Sequence, residues 1–232
     1  MKGILLFVAG LVALAWQLPA TAQERPRPVP RSSSEVPITL EASAPRVTAG
    51  QEITLSGVLH APQQECVRGK TIFVQRTVHG TGLQDGFTLD VSDEEGNFSG
   101  TVPGQVSADY EAIMDNRGSD CTAELSKPVT VLVRVRVGAR AVSDRVPKGM
   151  QGAIVGIVEP GHPGTRVTLQ RRADGTWRNI RRATLDDTSQ FRFTFKVSWN
   201  RRRVFRVIWK AQDEDHVAGR SARIRILSVP RP

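Results

Sequence analysis

The sequence predicts an all-β protein that contains two copies of one β-sandwich module in tandem. From Val36 onward, apolar and polar residues alternate in short runs that Gly, Pro, Asp or Asn interrupts about every 8 to 12 residues, which is typical of successive short strands. The same pattern of residues recurs at an interval of 93 to 99 positions. Because solenoid repeats have periods of roughly 20 to 50 residues, this longer interval indicates two duplicated domains.

Five pairs of segments carry the repeat and predict the same strands and turns in both copies. The pairs are 54–59 with 153–158, 69–76 with 164–171, 96–98 with 189–191, 110–113 with 205–208, and Ser126 with Ser221. We expect Gly96 to take a positive φ in a hairpin turn. Ser189 replaces this glycine in the second copy, so the conformation of the second turn is an open question.

Each module is predicted to contain about seven strands. In the first module we place them over 38–42, 52–59, 70–76, 86–91, 97–102, 108–114 and 128–137. In the second module we place them over 139–142, 152–158, 165–172, 176–182, 190–197, 203–210 and 221–228. About seven short strands in about 95 residues fit an immunoglobulin-like sandwich, which is large enough to bury a core between two sheets.

Residues 1–22 have the pattern of a secretory signal peptide. Lys2 precedes an apolar run over 4–16, and Ala20 and Ala22 are the small residues of a cleavage site. The run is shorter than the roughly 20 residues needed to span a bilayer, so we expect no transmembrane anchor after cleavage; a retained anchor is the alternative. We therefore expect the mature protein to be secreted, or located in the periplasm or cell envelope.

The mature chain is predicted to have three parts. Residues 23–35 are rich in Pro, Arg and Ser, which is typical of a disordered leader. The first module (36–138) contains 8 Lys or Arg and 13 Asp or Glu, and the second module (139–232) contains 20 and 8, so their net charges are −5 and +12. Two domains of one predicted fold therefore have opposite charge.

Both cysteines, Cys66 and Cys121, lie in the first module. Because a secreted protein reaches an oxidising environment, we predict a disulfide between them. On the predicted strands, these residues occupy two loops at one end of the sandwich. We interpret the disulfide as a stabilising crosslink, since it restricts the unfolded chain.

The alternation of residues in the second module indicates where its positive charge points. In the predicted strand over 203–210, Phe205, Val207 and Trp209 share one face, which leaves Arg206 on the other. The third, sixth and seventh strands are neighbours in this fold, so their outward cations combine on one sheet. We predict an anion-binding surface formed by Arg166, Arg172, Arg206, Lys210, Arg223 and Arg225. The alternatives are an ordinary solvated face, or docking of this face on an acidic module of the same or another chain.

A second candidate site is a metal centre in the loops of the second module. Adding 95 to the number of Cys121 gives His216, and the same step from Cys66 gives a position beside His162. Carboxylates surround both histidines, and imidazole with carboxylate is a common set of zinc ligands. The candidate ligands are His162, His216, Glu159, Asp213 and Asp215. The alternative is that these residues form solvent-facing loops without a metal, and we expect no other cofactor.

The sequence does not favour an enzyme. It has no Gly-x-Ser-x-Gly, no His-Glu-x-x-His and no phosphate-binding loop. A catalytic triad is defined by its geometry, so an unrecognised hydrolase is kept as an alternative.

Several motifs occur in both copies. The strand Gly-x-x-Val-x-Leu-Gln-Arg ends at Arg171 and is followed by a Gly-x-Trp hairpin, an Asp-containing turn before Phe191, an aromatic residue at Phe205 and Ser221. The first copy matches over 69–76, 93–98, Tyr110 and Ser126. In these motifs the chain resembles the tandem immunoglobulin-like modules of secreted bacterial proteins. The resemblance implies a β-sandwich used for adhesion, spacing or ligand binding, and it supplies no catalytic residues.

We therefore predict a secreted, non-catalytic binding or adhesion protein whose basic second module contacts an anionic polymer or surface of the envelope. The alternative is a structural or protein-interaction protein whose acidic and basic modules bind other proteins or associate weakly with each other between chains. Specific binding of nucleic acid is not expected.

Overall fold

The computed structural model describes residues 35–117 and 121–231; the predicted signal peptide (1–22) and leader residues 23–34 lie outside this part of the chain. The described residues form strands and turns, with a 3-10 helical turn over Gln64–Cys66 as the one helical element among them. The prediction of an all-β protein is confirmed. None of the described residues belongs to a helix long and apolar enough to cross a membrane.

The first sandwich is built from ten strands. They are β1 (Glu35–Val36), β2 (Glu41–Ala42), β3 (Arg46–Thr48), β4 (Glu52–Val58), β5 (Thr71–Val78), β6 (Gln84–Val91), β7 (Asn97–Pro103), β8 (Ala108–Met114), β9 (Thr122–Ala123) and β10 (Val129–Arg134). A three-stranded sheet has the order β2-β4-β7, a five-stranded sheet has the order β3-β10-β8-β5-β6, and β1 pairs with β9.

The second sandwich repeats this arrangement. Its strands are β11 (Arg136–Ala141), β12 (Arg145–Pro147), β13 (Gln151–Glu159), β14 (Arg166–Ala173), β15 (Thr176–Thr184), β16 (Gln190–Lys196), β17 (Arg202–Trp209), β18 (Gly219–Arg220) and β19 (Ile224–Val229). One sheet has the order β11-β13-β16, and the other has the order β12-β19-β17-β14-β15, with β18 also paired to β17. The strands β5, β8 and β10 are neighbours in the first sandwich, and β14, β17 and β19 are neighbours in the second. This order makes each sandwich immunoglobulin-like.

Each sandwich has its own hydrophobic core. The first core contains buried apolar residues between Val36 and Val133, and the second contains those between Val135 and Ile226. The alternation of the sequence explains both cores, since successive residues of a strand point to opposite faces of the sheet. Burying one such side chain contributes about 1.5 to 3 kcal/mol to the free energy of unfolding. Each core therefore stabilises the packing of the two sheets in its own sandwich.

The repeat in the sequence is a repeat of contacts in space. Ser126 Oγ accepts a hydrogen bond from the backbone N–H of Ala112 at 2.8 Å, and Ser221 Oγ accepts one from Val207 at 2.9 Å. Each serine therefore satisfies a backbone donor of the neighbouring strand where the sheet ladder has ended. The two matching hydrogen bonds confirm that the serines are equivalent.

Gly57 of β4 and Gly156 of β13 are also equivalent. A Cβ at Gly57 would lie 2.0 Å from the carbonyl oxygen of Thr39, and one at Gly156 would lie 2.0 Å from that of Gly138. Only glycine permits such a close approach of two backbones.

The two sandwiches are separated by one residue. We predicted a single strand over 128–137, but the structure has β10 in the first sandwich and β11 in the second, with Val135 between them. The predicted boundary between residues 138 and 139 thus falls inside β11. The alternation of apolar residues continues across the change of sheet. The two-residue period of a strand does not indicate which strand it pairs with, so the boundary could not be predicted from it.

Two strands of three residues each were also not predicted. β3 runs parallel to β10, and β12 runs parallel to β19, so each adds an edge to the five-stranded sheet. Three residues are too few for an alternation to be recognised in a sequence.

Loops of both sandwiches meet at the junction. Val217 donates its backbone N–H to the carbonyl of Val133 at 2.8 Å, and Val135 donates to the carbonyl of Val217 at 3.3 Å. Ser107 of the first sandwich donates its N–H to the carbonyl of Asp215 at 2.7 Å. The segment that follows β17 is therefore held against the first sandwich by backbone hydrogen bonds.

Candidate functional site

The predicted disulfide is present. Cys66 ends the 3-10 turn, Cys121 precedes β9, and their Cα atoms lie 5.7 Å apart. Both residues are buried. The disulfide joins the loop before β5 to the loop after β8, at one end of the first sandwich.

The predicted cations of the second sandwich lie on the outer face of its larger sheet. We call the outer face of β14, β15, β17, β18 and β19 the cationic face. Cross-strand pairing places Gln170 opposite Arg206 and Val204 opposite Arg225. The same register continues to Arg223 beside Arg206. Arg206 is half-buried. The other five predicted residues are exposed, namely Arg166, Arg172, Lys210, Arg223 and Arg225.

Arg206 is held in place at the centre of this face. Its guanidinium lies over the ring of Trp177, 4.2 Å from the ring centroid, and its Nε donates to Gln170 Oε1 at 2.7 Å. Gln170 in turn donates from Nε2 to Asn179 Oδ1 at 2.7 Å. Since Nε is used by Gln170, the terminal nitrogens of Arg206 are the groups that can bind a ligand.

Arg206 is surrounded by other cations. Burial, followed by the positive charges of Arg220 and Arg223, lowers the pKa of the Arg206 guanidinium below its usual value. None of the six predicted residues forms an ion pair with a described residue. The arginine ion pairs of this sandwich lie elsewhere, between Arg178 and Asp174 at 3.6 Å and between Arg136 and Glu159 at 2.7 Å. The positive charge of the face is therefore not neutralised by neighbouring carboxylates.

A groove on the cationic face collects several of these charges. It has a volume of about 400 Å³, and its charged lining residues are Arg134, Arg206, Lys210 and Arg220. Arg134 belongs to β10 of the first sandwich, so both sandwiches contribute to this groove. Sequence reasoning did not identify Arg134 or Arg220, because their position depends on the junction and on the two-residue strand β18.

Sequence reasoning also did not place Trp177 on Arg206. The two-residue turn of Asp174 and Gly175 sets the pairing that brings Trp177 opposite Arg172, and the register of β14 with β15 shifts only farther from this turn, between Leu169 and Gln170. Alternation predicts that Trp177 shares a face with Arg172, but it does not predict a contact with Arg206, which lies two strands away.

The second candidate site is a group of histidines and aspartates in two loops of the second sandwich. Nε2 of His162 lies 2.8 Å from Asp213 Oδ2, and Nδ1 of His216 lies 3.1 Å from Asp215 Oδ1. The two imidazole rings meet edge to face, with centroids 4.9 Å apart. One ligand atom from each of the four residues lies within 4.8 Å of the other three. We call these four residues the His-Asp cluster.

Glu159 does not belong to this cluster, although we included it among the candidate ligands. It is the last residue of β13, and cross-strand pairing places it opposite Arg136 of β11. The ion pair with Arg136, at 2.7 Å, engages its carboxylate at the sheet edge.

The backbone of the first loop is positioned by the turn that contains Ser189. Ser189 has a φ of +58°, close to the +86° of Gly96, so the serine preserves the glycine turn. Its Oγ accepts a hydrogen bond from the backbone N–H of His162 at 2.7 Å. The substitution that left the turn uncertain in the sequence therefore supplies the hydroxyl that fixes His162.

The second ring nitrogen of each histidine is directed at a backbone carbonyl. His162 Nδ1 lies 2.7 Å from the carbonyl oxygen of Pro160, and His216 Nε2 lies 2.8 Å from that of Gln105. Because both nitrogens of each ring face these acceptors, neither ring is positioned to take a proton from a serine hydroxyl in this cluster. The arrangement does not have the geometry of a Ser-His-Asp triad.

The two carboxylates of the cluster affect one another. Burial and the neighbouring Asp215 raise the pKa of Asp213 above its ordinary value. Burial also opposes ionisation of Asp215, but its hydrogen bond with Asp213 and the positive charge of His216 leave its pKa lowered. The two carboxylates lie close together and repel one another when both are ionised. A bound cation would stabilise both in the ionised form.

Comparisons with known proteins do not assign the chain to a family. No protein-family model matches it, and no curated protein has a significantly similar sequence. Solved structures to which the chain is similar include the adhesin InvE of Yersinia pseudotuberculosis (13% identity, 82% of this chain and 58% of that one, TM-score 0.34), a tetra-tandem repeat in the extending region of a large adhesion protein (13%, 83% and 49%, 0.38) and the human OSCAR ligand-binding domain (17%, 83% and 98%, 0.31). The chain spans about half the length of the two adhesion proteins.

Proposed function

We propose that this protein is a non-catalytic binding protein of the bacterial cell envelope, and that its cationic face binds an anionic polymer or surface. The observation that carries this proposal is Arg206, which is fixed by Trp177 and Gln170 and has further cations, but no described carboxylate, beside it. An arginine placed only for solubility needs no such fixed position. A preorganised guanidinium loses less conformational entropy when it binds a carboxylate, sulfate or phosphate.

The spacing of the charges favours a polymer over a single ion. Neighbouring strands lie about 4.8 Å apart, and outward residues of one strand lie about 7 Å apart, so Arg206, Arg223 and Arg225 form part of a two-dimensional array of cations. Such an array matches repeated anionic groups along a chain or a layer of anionic headgroups. Each guanidinium can bind one planar anionic group with two hydrogen bonds.

The total charge of the second module supports the same proposal. A net charge of +12 attracts polyanions over several ångströms and raises the rate of association. Exposed contacts of this kind are screened by salt, and the Debye length is about 10 Å at 0.1 M ionic strength. We therefore expect binding to be strong at low ionic strength and to weaken steadily as salt is added.

Binding of heparin and of vesicles that contain phosphatidylglycerol tests the proposal. The variant is Arg206→Glu with Arg223→Glu, and the matched control is Arg140→Glu with Arg192→Glu, which makes the same charge change at exposed positions of the opposite sheet. We expect the first pair to weaken binding at least tenfold at low salt, and the control pair to weaken it much less. The absence of wild-type binding at low salt, or an equal loss in both pairs, would contradict the proposal.

A second candidate function is assembly through complementary charge. The first module has a net charge of −5, and Glu111 on its outer face occupies the position that Arg206 has in the second sandwich. Head-to-tail contact between chains would then bring opposite charges together. Sedimentation of the chain at low and high salt measures this: self-association that salt abolishes supports assembly, and a single monomeric species at low salt excludes it.

A further inference from the structure

We infer that the His-Asp cluster is a zinc site, with His162, Asp213, Asp215 and His216 as its four ligands. The inference is independent of anion binding, since it concerns loops outside the cationic face. Its starting point is that two loops, between β13 and β14 and between β17 and β18, bring one ligand atom from each residue within 4.8 Å of the others.

The chemistry of the four groups matches zinc. Zinc is bound by imidazole nitrogen and carboxylate oxygen at about 2.0 to 2.2 Å, and four such ligands form a tetrahedron. Calcium and magnesium prefer oxygen ligands only, so a set with two imidazoles disfavours them. Copper and nickel also bind imidazole but favour square-planar or tetragonal geometry.

The distances require only local adjustment. In a zinc tetrahedron neighbouring ligand atoms lie about 3.3 Å apart, as follows from the zinc-ligand distances. The pair between His162 and Asp213 is 2.8 Å apart and the pair between His216 and Asp215 is 3.1 Å apart, so both widen by less than an ångström. Nδ1 of His216 is 3.9 Å from Asp213 Oδ1 and must approach it slightly. Rotation of the aspartate side chains, which are about one-third exposed, provides these movements.

The outer shell is already that of a metal site. Histidine ligands usually donate their second ring N–H to a carboxylate or a backbone carbonyl, which fixes the tautomer and orients the ring. Here the carbonyls of Pro160 and Gln105 occupy this position for His162 and His216. Each ring therefore directs its other nitrogen at the centre of the cluster, where a lone pair can bind the ion.

Accounting for hydrogen bonds also leads to a cation. Both nitrogens of each imidazole face an acceptor, whereas a neutral ring has a single N–H to donate, so one of the two contacts of each ring lacks a donor. Water does not easily replace the missing donors, since His216 is 4% exposed and the side chain of His162 is 9% exposed. One zinc ion would occupy the position that lacks a donor on both rings and would lie between the two carboxylates.

Zinc at this position would fix the junction of the two sandwiches. The ligands come from the second sandwich, but Gln105 accepts from His216, and Ser107 donates to the carbonyl of Asp215. The ion would therefore lock the loop over residues 105–107 of the first sandwich against the loop after β17. Its role would be structural, since four protein ligands close the coordination sphere.

Titration of the full chain, purified and stripped with EDTA, tests this inference. Calorimetry with zinc chloride is expected to show one ion per chain with a dissociation constant on the order of a micromolar or tighter. Cobalt(II) added instead of zinc is expected to give the intense visible absorption of a tetrahedral site, and calcium is expected to give no heat.

Two variants and one control locate the site. His162→Gln with His216→Gln removes the nitrogen ligands, and Asp213→Asn with Asp215→Asn keeps the shape of the side chains while removing their charge. Each is expected to weaken zinc binding at least tenfold, whereas His60→Gln, at an exposed histidine outside the cluster, is expected to have no effect. Wild-type affinity in either folded variant overturns the inference. So does the absence of a tetrahedral cobalt spectrum in the wild-type chain, a measurement that needs no variant to fold.

Discussion

The outer faces of the two sandwiches have opposite charge at one pair of equivalent positions. Gln75 lies opposite Glu111 in the first sandwich, and Gln170 lies opposite Arg206 in the second. The inward neighbours, Tyr110 and Phe205, are both buried aromatic residues. Inward positions thus determine the fold and stay alike, whereas outward positions are free to change sign. This difference is why the proposed binding surface is the outer face of the second sandwich.

The ends of the two sandwiches differ in the same way. The first is crosslinked by Cys66 and Cys121, and the second brings His162 and His216 to the corresponding loops. One end is held by a covalent bond and the other by hydrogen bonds and ion pairs. The equivalent loops of the two sandwiches are thus joined by chemically different contacts.

Removal of the disulfide should have the largest effect and should affect the sandwiches unequally. Replacing Cys66 and Cys121 by serine frees a loop with a sequence separation of 55 residues in the unfolded chain. The expected loss is about 2 to 5 kcal/mol in the free energy of unfolding of the first sandwich. Hydrogen exchange resolved to peptides measures it in each sandwich. A loss of protection in β14 and β17 equal to that in the first sandwich would contradict the independence of the two cores. As a control, a reducing agent added to the variant should have no effect, since the variant has no disulfide.

Exchange of the turn residues should have an intermediate and asymmetric effect. A Cβ at Gly96 would lie 2.8 Å from the carbonyl oxygen of Leu59, so Gly96→Ser should destabilise the first sandwich by about 1 to 3 kcal/mol. Ser189→Gly removes the hydrogen bond to His162 but relieves the positive φ, which costs a non-glycine residue about 1 to 2 kcal/mol. Its net effect should be smaller than 1 kcal/mol by the same estimate. Urea denaturation measures the free energy of unfolding of both variants. A larger loss of stability for Ser189→Gly than for Gly96→Ser would contradict this prediction.

Removal of the aromatic support of Arg206 should have the smallest effect. In the register of the first sandwich, Gln84 lies opposite Thr77, as Trp177 lies opposite Arg172 in the second, so Trp177→Gln makes the second face resemble the first. An exposed cation-π contact contributes about 0.5 to 1 kcal/mol, which corresponds to a two- to fivefold loss of heparin affinity. Because no charge is removed, the salt dependence of binding should not change. Arg206→Gln, which does remove a charge, should reduce that dependence.

Much of the fold was predictable because most strands are long enough to alternate. The predicted strand over 108–114 coincides with β8, and the neighbouring order of β14, β17 and β19 follows from the fold class. The change of sheet at Val135 was not predictable, since it depends on which strands the chain meets after Arg134. Strands of two or three residues, such as β18, were not predictable either.

The candidate sites were predictable in part for a related reason. The repeat aligned His216 with Cys121, and so predicted that His162 and His216 would meet. It also led us to include Glu159, whose cross-strand partner Arg136 could not be known before β11 was placed. The interval of the repeat thus predicts which loops lie together. The direction of each side chain also depends on strand pairing, which the repeat does not give.

The single residue between β10 and β11 has a mechanical consequence. One residue of extended chain spans at most about 3.6 Å, so there is almost no slack between the sandwiches when the chain is pulled from its two ends. A load applied along the chain at Val135 reaches the hydrogen bonds between Val133, Val135 and Val217 at once. They flank a parallel bridge between Arg134 and Val217, so both bonds would bear such a load. A polymer held on the cationic face would therefore transmit tension to the first sandwich without an elastic linker between them.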